Sequence, residues 1–301
     1  MPKQKTYPLL SDAYRKAWES CAALWPLFIL RFVFLILNFG TLFFCLFLVC
    51  WPLLQALWKG FRETGGQNFS RYMQSMDWSG YMPDSGSILM AIGLALLYIT
   101  WWSLLAALFD GAVYSRMREH QEKGSLFSLR EFFKDGIRYL FPMIGLQVLW
   151  SLVFLGVVLM GLLGGILAAL LFHALSLVWL GILLAIPLFF VAIAVVIALA
   201  GFGLLAGAYL MEEKGIIFAM RQAFNKCLEG YGRVVWGILL VWVIYFVFSV
   251  AFQAVMNIFG LIPFIGFLFL LAQFGVNLFF SVAIWVYMPA LAVVFSLEEE
   301  A

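Results

Sequence analysis

From Tyr139 to Met211 the chain carries no aspartate, glutamate, lysine or arginine. A charge-free run of that length has no place in a water-soluble core, because soluble domains interleave apolar stripes with solvated faces and keep about a quarter of their residues charged. A helix crossing a bilayer needs only about 20 mainly apolar residues, so the run has room for more than one crossing. The rest of the 301-residue chain agrees: 65% of its residues are hydrophobic and 11% are charged. The expected class is an all-α integral membrane protein, with no length left over for a separate catalytic domain.

Charge and turn residues punctuate the sequence into six apolar blocks, at about 25–57, 88–109, 140–163, 179–211, 234–257 and 267–296. Between the third and fourth lies "GGILAALLFHALSLVW", which is apolar enough to be a seventh span. The positive-inside rule decides. Six spans place Lys3, Lys5, Arg15, Lys16, Arg116, Arg118, Lys123, Arg130, Lys134, Arg138, Lys214, Arg221, Lys226 and Arg233 on one side, against Lys59, Arg62 and Arg71 on the other. A seventh span would move the last four across and weaken that bias. Six spans with both termini cytoplasmic are therefore expected, and 164–179 reads as a broken, interfacial or re-entrant piece. "MPKQKTYPLLSDAYRKAWES" lacks the short apolar core of a cleaved signal, so the first span is expected to direct insertion.

Just before the charge-free run stands "SLREFFKDGIRYLF", in which Leu129, Phe132, Phe133, Gly136 and Ile137 form a helical stripe and Ser128 with Glu131 forms a capping box. The same stripe occurs 115 residues earlier as Tyr14, Ala17, Trp18, Cys21 and Ala22, and 91 residues later as Met220, Ala223, Phe224, Cys227 and Leu228. Those offsets bring Arg15, Arg130 and Arg221 into one column. The reading is a triple repeat, about 8–109, 125–211 and 216–297, each unit an interfacial amphipathic helix followed by a hairpin of two spans. The long outer loop, 59–87, is rich in glycine and serine but carries Phe69, Tyr72, Trp78 and Tyr81, which suit a headgroup region.

The stretches "FDGAVYSRMREHQEKGSLFSLREFF" and "AYLMEEKGIIFAMRQAFNKCLEGYGRVVWGILL" resemble a loose bacterial and archaeal group of six-span membrane proteins without an established activity, related to the membrane domain of some glycerophosphodiester phosphodiesterases. Gly111, Gly124 and Ala223 occupy places comparable to that group's. The resemblance implies a six-helix membrane protein, and together with the charge bias a bacterial inner membrane, and carries no catalytic residues with it; the phosphodiesterase domain itself has no counterpart here.

Two features are candidates for chemistry. Arg31 and Asp110 are ionisable groups at the cytoplasmic ends of the first two blocks; Arg31 either snorkels to the interface, bridges to Asp110 and locks the first hairpin, or serves a substrate or proton. Ser249, Gln253 and Asn257 on the fifth span, and Gln273, Asn277 and Ser281 on the sixth, recur at i, i+4, i+8 and lie at matching depths about Pro263. They read as a polar seam, either packing glue or a path for a lipid headgroup or solute. Gly161 with Gly165 and Gly203 with Gly207 have the spacing of close helix contacts.

Other chemistry is not encoded. Cys21, Cys45, Cys50 and Cys227 show no CxxC spacing, and His120 and His173 stand apart, so neither a metal nor a cofactor is expected. "DGAVYSR" resembles the start of the alcohol phosphatidyltransferase signature, but the aspartates that would hold its two metal ions do not follow. No P-loop, HExxH or GxSxG is present. A net charge of +2 gives no reason to expect nucleic acid. The sequence thus points to a non-enzymatic scaffold or subunit whose partners are membrane lipids and a protein or a second copy, with a transporter, channel or lipid-handling protein as the alternative.

Overall fold

The structure, a computed structural model, describes residues 9–64, 85–174, 178–229, 231–260 and 265–298. Among them there are eight helices and no strands: α1 (Leu10–Ala23), α2 (Pro26–Thr64), α3 (Ser85–Lys123), α4 (Leu129–Ala174), α5 (Val178–Leu210), α6 (Ile216–Glu229), α7 (Tyr231–Gly260) and α8 (Ile265–Leu297). Six of them, α2 to α5 with α7 and α8, are long and apolar enough to cross a membrane. Most of the expected outer loop, including its aromatic residues, lies outside the described residues, as does Pro263.

Two of the three expected surface helices are separate elements. α1 stops at Leu24, whose amide reaches back to Ser20, and Pro26 opens α2 from a first-turn position where a missing N–H costs nothing. α6 begins after Gly215, whose positive φ of 94° closes a tight turn. The middle one differs. Residues 129–138 run without a break into the third span as one helix of 46 residues, and Pro142 sits inside it. Nothing between Gly136 and Pro142 offers a turn, and packing against α3 carries the helix through the proline. The 164–179 segment differs too. Gly164 to Ala174 simply continues α4, and α5 starts at Val178, with 175–177 outside the described residues. With neither charge nor strong breaker there, nothing ends the helix earlier.

The chain divides into two compact units, residues 32–106 and the remainder. In the smaller unit two threonine hydroxyls are satisfied within their own helices: Thr41 donates to the Leu37 carbonyl and Thr100 to that of Leu96. Aromatic pairs one turn apart, Phe47 with Trp51 and Tyr98 with Trp102, line its helices.

In the larger unit the core is built from α5 and α8. α8 packs on α1, α5 and α7, and α5 on α4, α6 and α7. Van der Waals contact must supply most of this cohesion, since lipid tails are as apolar as the side chains. Small residues permit it. Gly111 and Ala112 on α3, Gly207 and Ala208 on α5, and Ala290 and Ala292 on α8 are all buried. The tightest crossing is reciprocal: a Cβ on Gly136 of α4 would stand 2.8 Å from the Leu108 carbonyl oxygen of α3, and one on Gly111 of α3 would stand 2.9 Å from Tyr139 Cβ of α4.

The three segments that share the apolar stripe each pack on a long helix. The first part of α4 lies on the end of α3, α6 lies on α5, and α1 lies on α8. Ala17, Phe132 and Ala223, aligned by the sequence offsets, are all fully buried. Ser20, Asp135 and Lys226 form a second aligned column of buried polar residues. Burial is concentrated where α3, α5 and α8 carry these segments. By contrast, every residue of α4 from 151 to 166 is exposed.

Candidate functional site

The charged residues of the larger unit gather where its amphipathic segments lie, and most are spent on one another. Arg116, near the end of α3, is buried and bound by three carboxylates: Glu119 at 2.6 Å, Glu131 at 2.7 Å, and Asp135. Ser115 donates to the same Asp135 at 2.9 Å. One guanidinium therefore staples α3 to the start of α4. Sequence reading missed this, because Arg116 looked like one more topological charge. The signal available was the set of carboxylates at helical steps on both sides of the turn.

A second cluster ties α4 to the turn between α5 and α6. Glu213 adopts a positive φ of 62°, a left-handed conformation disfavoured for a residue with a side chain. Its carboxylate accepts from the Tyr139 hydroxyl at 2.9 Å and pairs with Arg138 at 2.5 Å. Next to it Glu212 receives Lys214 at 3.0 Å and lies 3.6 Å from Arg118. The third cluster joins α7 to α8. Arg233 donates to Glu298 at 2.9 Å, and burial pushes the Glu298 carboxyl up while Arg233, Lys226 and Lys16 pull it down.

Arg31, in the second turn of α2, comes to 3.9 Å from Asp110 of α3. That separation is a charge contact without a hydrogen bond. The guanidinium also lies over the rings of Phe109 at 4.7 Å and Trp285 at 4.8 Å, contacts worth about 0.5–2 kcal/mol each. Its buried Nε has no hydrogen-bond partner among the described residues.

The amide rows of α7 and α8 do not form the expected seam among the described side chains. Ser281 turns back to the Asn277 carbonyl of its own helix at 2.8 Å. Gln253 is exposed, and neither it, Ser249 nor Gln273 makes a cross-helix hydrogen bond. The Asn257 side chain lies outside the described residues. What meets instead are Phe248 and Phe280, with ring centroids 4.4 Å apart. Equal depth did not fix which helix face turns inward.

Arg15, Arg130 and Arg221 are all exposed. Arg15 has Asp12 at 3.5 Å and Glu19 at 3.8 Å. The two glycine pairs part company: Gly203 lies against Trp150 and Gly207 against Tyr114, whereas Gly161 and Gly165 have nothing within 4 Å. His120 Nδ1 lies 2.8 Å from the Ser125 carbonyl, and the His173 side chain is outside the described residues. Burial pushes the Cys21 thiol up to about 12 and the Cys227 thiol up to about 11, which keeps both in their unreactive form. Among the described residues no three His, Cys, Asp or Glu side chains converge as metal ligands.

The fold defines an all-α, multi-pass integral membrane protein. Comparison with protein-family models, curated proteins and solved structures finds no match, so the likeness to the six-span group rests on sequence pattern.

Proposed function

We propose that this chain is a non-enzymatic protein of a bacterial inner membrane, with both termini cytoplasmic, serving as a scaffold or subunit of a membrane complex. The observation that supports this reading is the contrast between its two kinds of surface. Its charges are largely consumed in ion pairs between elements: Arg116 to Asp135, both buried, Arg233 to Glu298, partly buried, and Arg138 to Glu213 at the exposed turn before α6. Its unspent binding capacity is helix surface, above all residues 151–166 of α4, exposed on every side, including Leu155, Met160 and Leu163. Gly156, Gly161, Gly164 and Gly165 there have nothing within 4 Å. A small-residue surface of that kind suits close approach of another spanning helix.

The test is photo-crosslinking from Leu155, Met160 and Leu163 in native membranes, with the mass of the complex extracted in mild detergent. A defined protein adduct at fixed stoichiometry is expected, either a partner or a second copy. Adducts to lipid alone together with a monomeric mass would overturn the proposal, as would solute flux through the purified chain in proteoliposomes.

A further inference from the structure

The apolar stripe of each amphipathic segment is split by the fold. One half faces protein, as Ala17, Phe132 and Ala223 do; the other half is left out. On that outer half an exposed arginine stands one helical turn before an exposed aromatic ring in all three units: Arg15 with Trp18, Arg130 with Phe133, and Arg221 with Phe224. Residues three apart share a helix face, with Cβ atoms about 5–6 Å apart.

We propose that these arginine–aromatic pairs bind anionic phospholipid of the adjacent leaflet, the guanidinium taking the headgroup phosphate and the ring resting at the acyl boundary. Arg130 and Arg221 are the principal ligands. Among the described residues neither pairs with a carboxylate, while Arg15 already has Asp12 and Glu19 beside it.

The neighbouring side chains favour lipid over an acidic protein. On α4 the face of Arg130 continues through Phe133 to Ile137 and Phe141, the last two 63% and 79% exposed, directly into the charge-free run. Lys134 adds a second exposed cation beside Phe133. On α6 the face reads Ile217, Arg221, Phe224, Leu228, every member exposed. An acidic protein surface would neutralise the arginines but leave those apolar side chains against polar groups. A phospholipid satisfies both, with its chains along the apolar track and its phosphate at the arginine. The inference goes beyond the scaffold reading and holds whether or not a protein partner exists.

The experiment uses the full chain in detergent, with phosphatidylglycerol and phosphatidylcholine supplied at equal concentration and retained lipid counted by native mass spectrometry. Wild type is expected to retain phosphatidylglycerol preferentially. The double variant Arg130→Gln/Arg221→Gln should lose about fivefold of that preference per arginine, the equivalent of about 1 kcal/mol per basic residue near an anionic leaflet. Arg130→Lys/Arg221→Lys, which keeps the charge, should keep most of it and covers the case in which the glutamine variant does not fold. Equal retention of the two lipids by wild type, or an unchanged preference in the glutamine variant, would overturn the proposal. So would inorganic phosphate that displaces phosphatidylglycerol at matched concentration, since the site would then serve a soluble anion.

Discussion

The Arg116 guanidinium closes on the Asp135 carboxylate across the turn between α3 and α4, with both side chains buried. Arg116 stands near the end of α3 and Asp135 near the start of α4, so the contact joins two helices across their turn. Removing one partner of a buried pair leaves the other charge uncompensated and costs about 3–5 kcal/mol, whereas removing both costs far less. Arg116→Met should therefore lower thermal stability steeply. The combination Arg116→Met/Asp135→Leu/Glu131→Gln should recover much of the loss. Thermal unfolding in detergent, read by circular dichroism and by loss of the monodisperse peak, gives both values; a triple variant no more stable than the single one would contradict the pairing.

Glycine at position 136 of the α3–α4 crossing is required by a backbone atom as well as by the Leu108 side chain. A methyl group on Gly136 would meet the Leu108 carbonyl oxygen at 2.8 Å, and a backbone atom cannot rotate away. Gly136→Ala should destabilise by about 1–3 kcal/mol through overpacking. Gly161→Ala meets nothing within 4 Å and should be neutral, or stabilising by up to about 1 kcal/mol through helix propensity. The same unfolding measurement on the two variants separates a packing glycine from a merely small one.

These two sites also mark what the sequence could convey. The spans were legible because a charge-free run has one physical solution in a bilayer, and Arg31 and Asp110 were legible because a charge in an apolar block is conspicuous. The junctions were not. Trp25-Pro26 and Phe141-Pro142 present the same local pattern, yet the first proline opens a helix and the second is absorbed into one. The difference lies in tertiary contacts: Gly136 on Leu108, Tyr139 on Gly111 and Asp135 on Arg116 hold the start of α4 in line with its span. The described members of the amide rows, Ser249, Gln253 and Gln273, make no cross-helix hydrogen bond for a related reason. A row at i, i+4, i+8 defines a helix face but not its direction, and the bulk of Phe248 and Phe280 decided that.

Glu298 supplies a pH dependence of definite sign. Its folded carboxyl sits above the ordinary 4.5, because burial opposes the charge more than Arg233, Lys226 and Lys16 favour it. Between the unfolded and folded values the native state binds more protons, so stability falls as pH rises. The contribution is full below about 4.5 and is lost as pH climbs through the raised value. Glu298→Gln cannot ionise and should flatten this slope. Unfolding midpoints of wild type and variant from pH 4 to pH 7 check it; a wild-type stability rising relative to the variant over that window would reverse the assignment of burial as the dominant effect.

Sidedness is the expectation on which both the scaffold reading and the lipid sites depend. Lys123 ends α3 and Lys214 follows α5, and the ion pairs of that end run from Arg118 near the end of α3 to Glu212 at the start of the α5–α6 turn. An interhelical contact between those two places requires them to share a side of the bilayer. Single cysteines at 123 and 214, in a chain whose native cysteines are replaced by alanine or serine, should therefore label with a membrane-impermeant maleimide from the same face of oriented vesicles. A cysteine at 62, beyond the apolar part of α2, should label only from the opposite face. If 214 labelled with 62 and not with 123, an additional crossing would lie between α4 and α5, and the charge partition that places the arginine–aromatic pairs at one leaflet would fail with it.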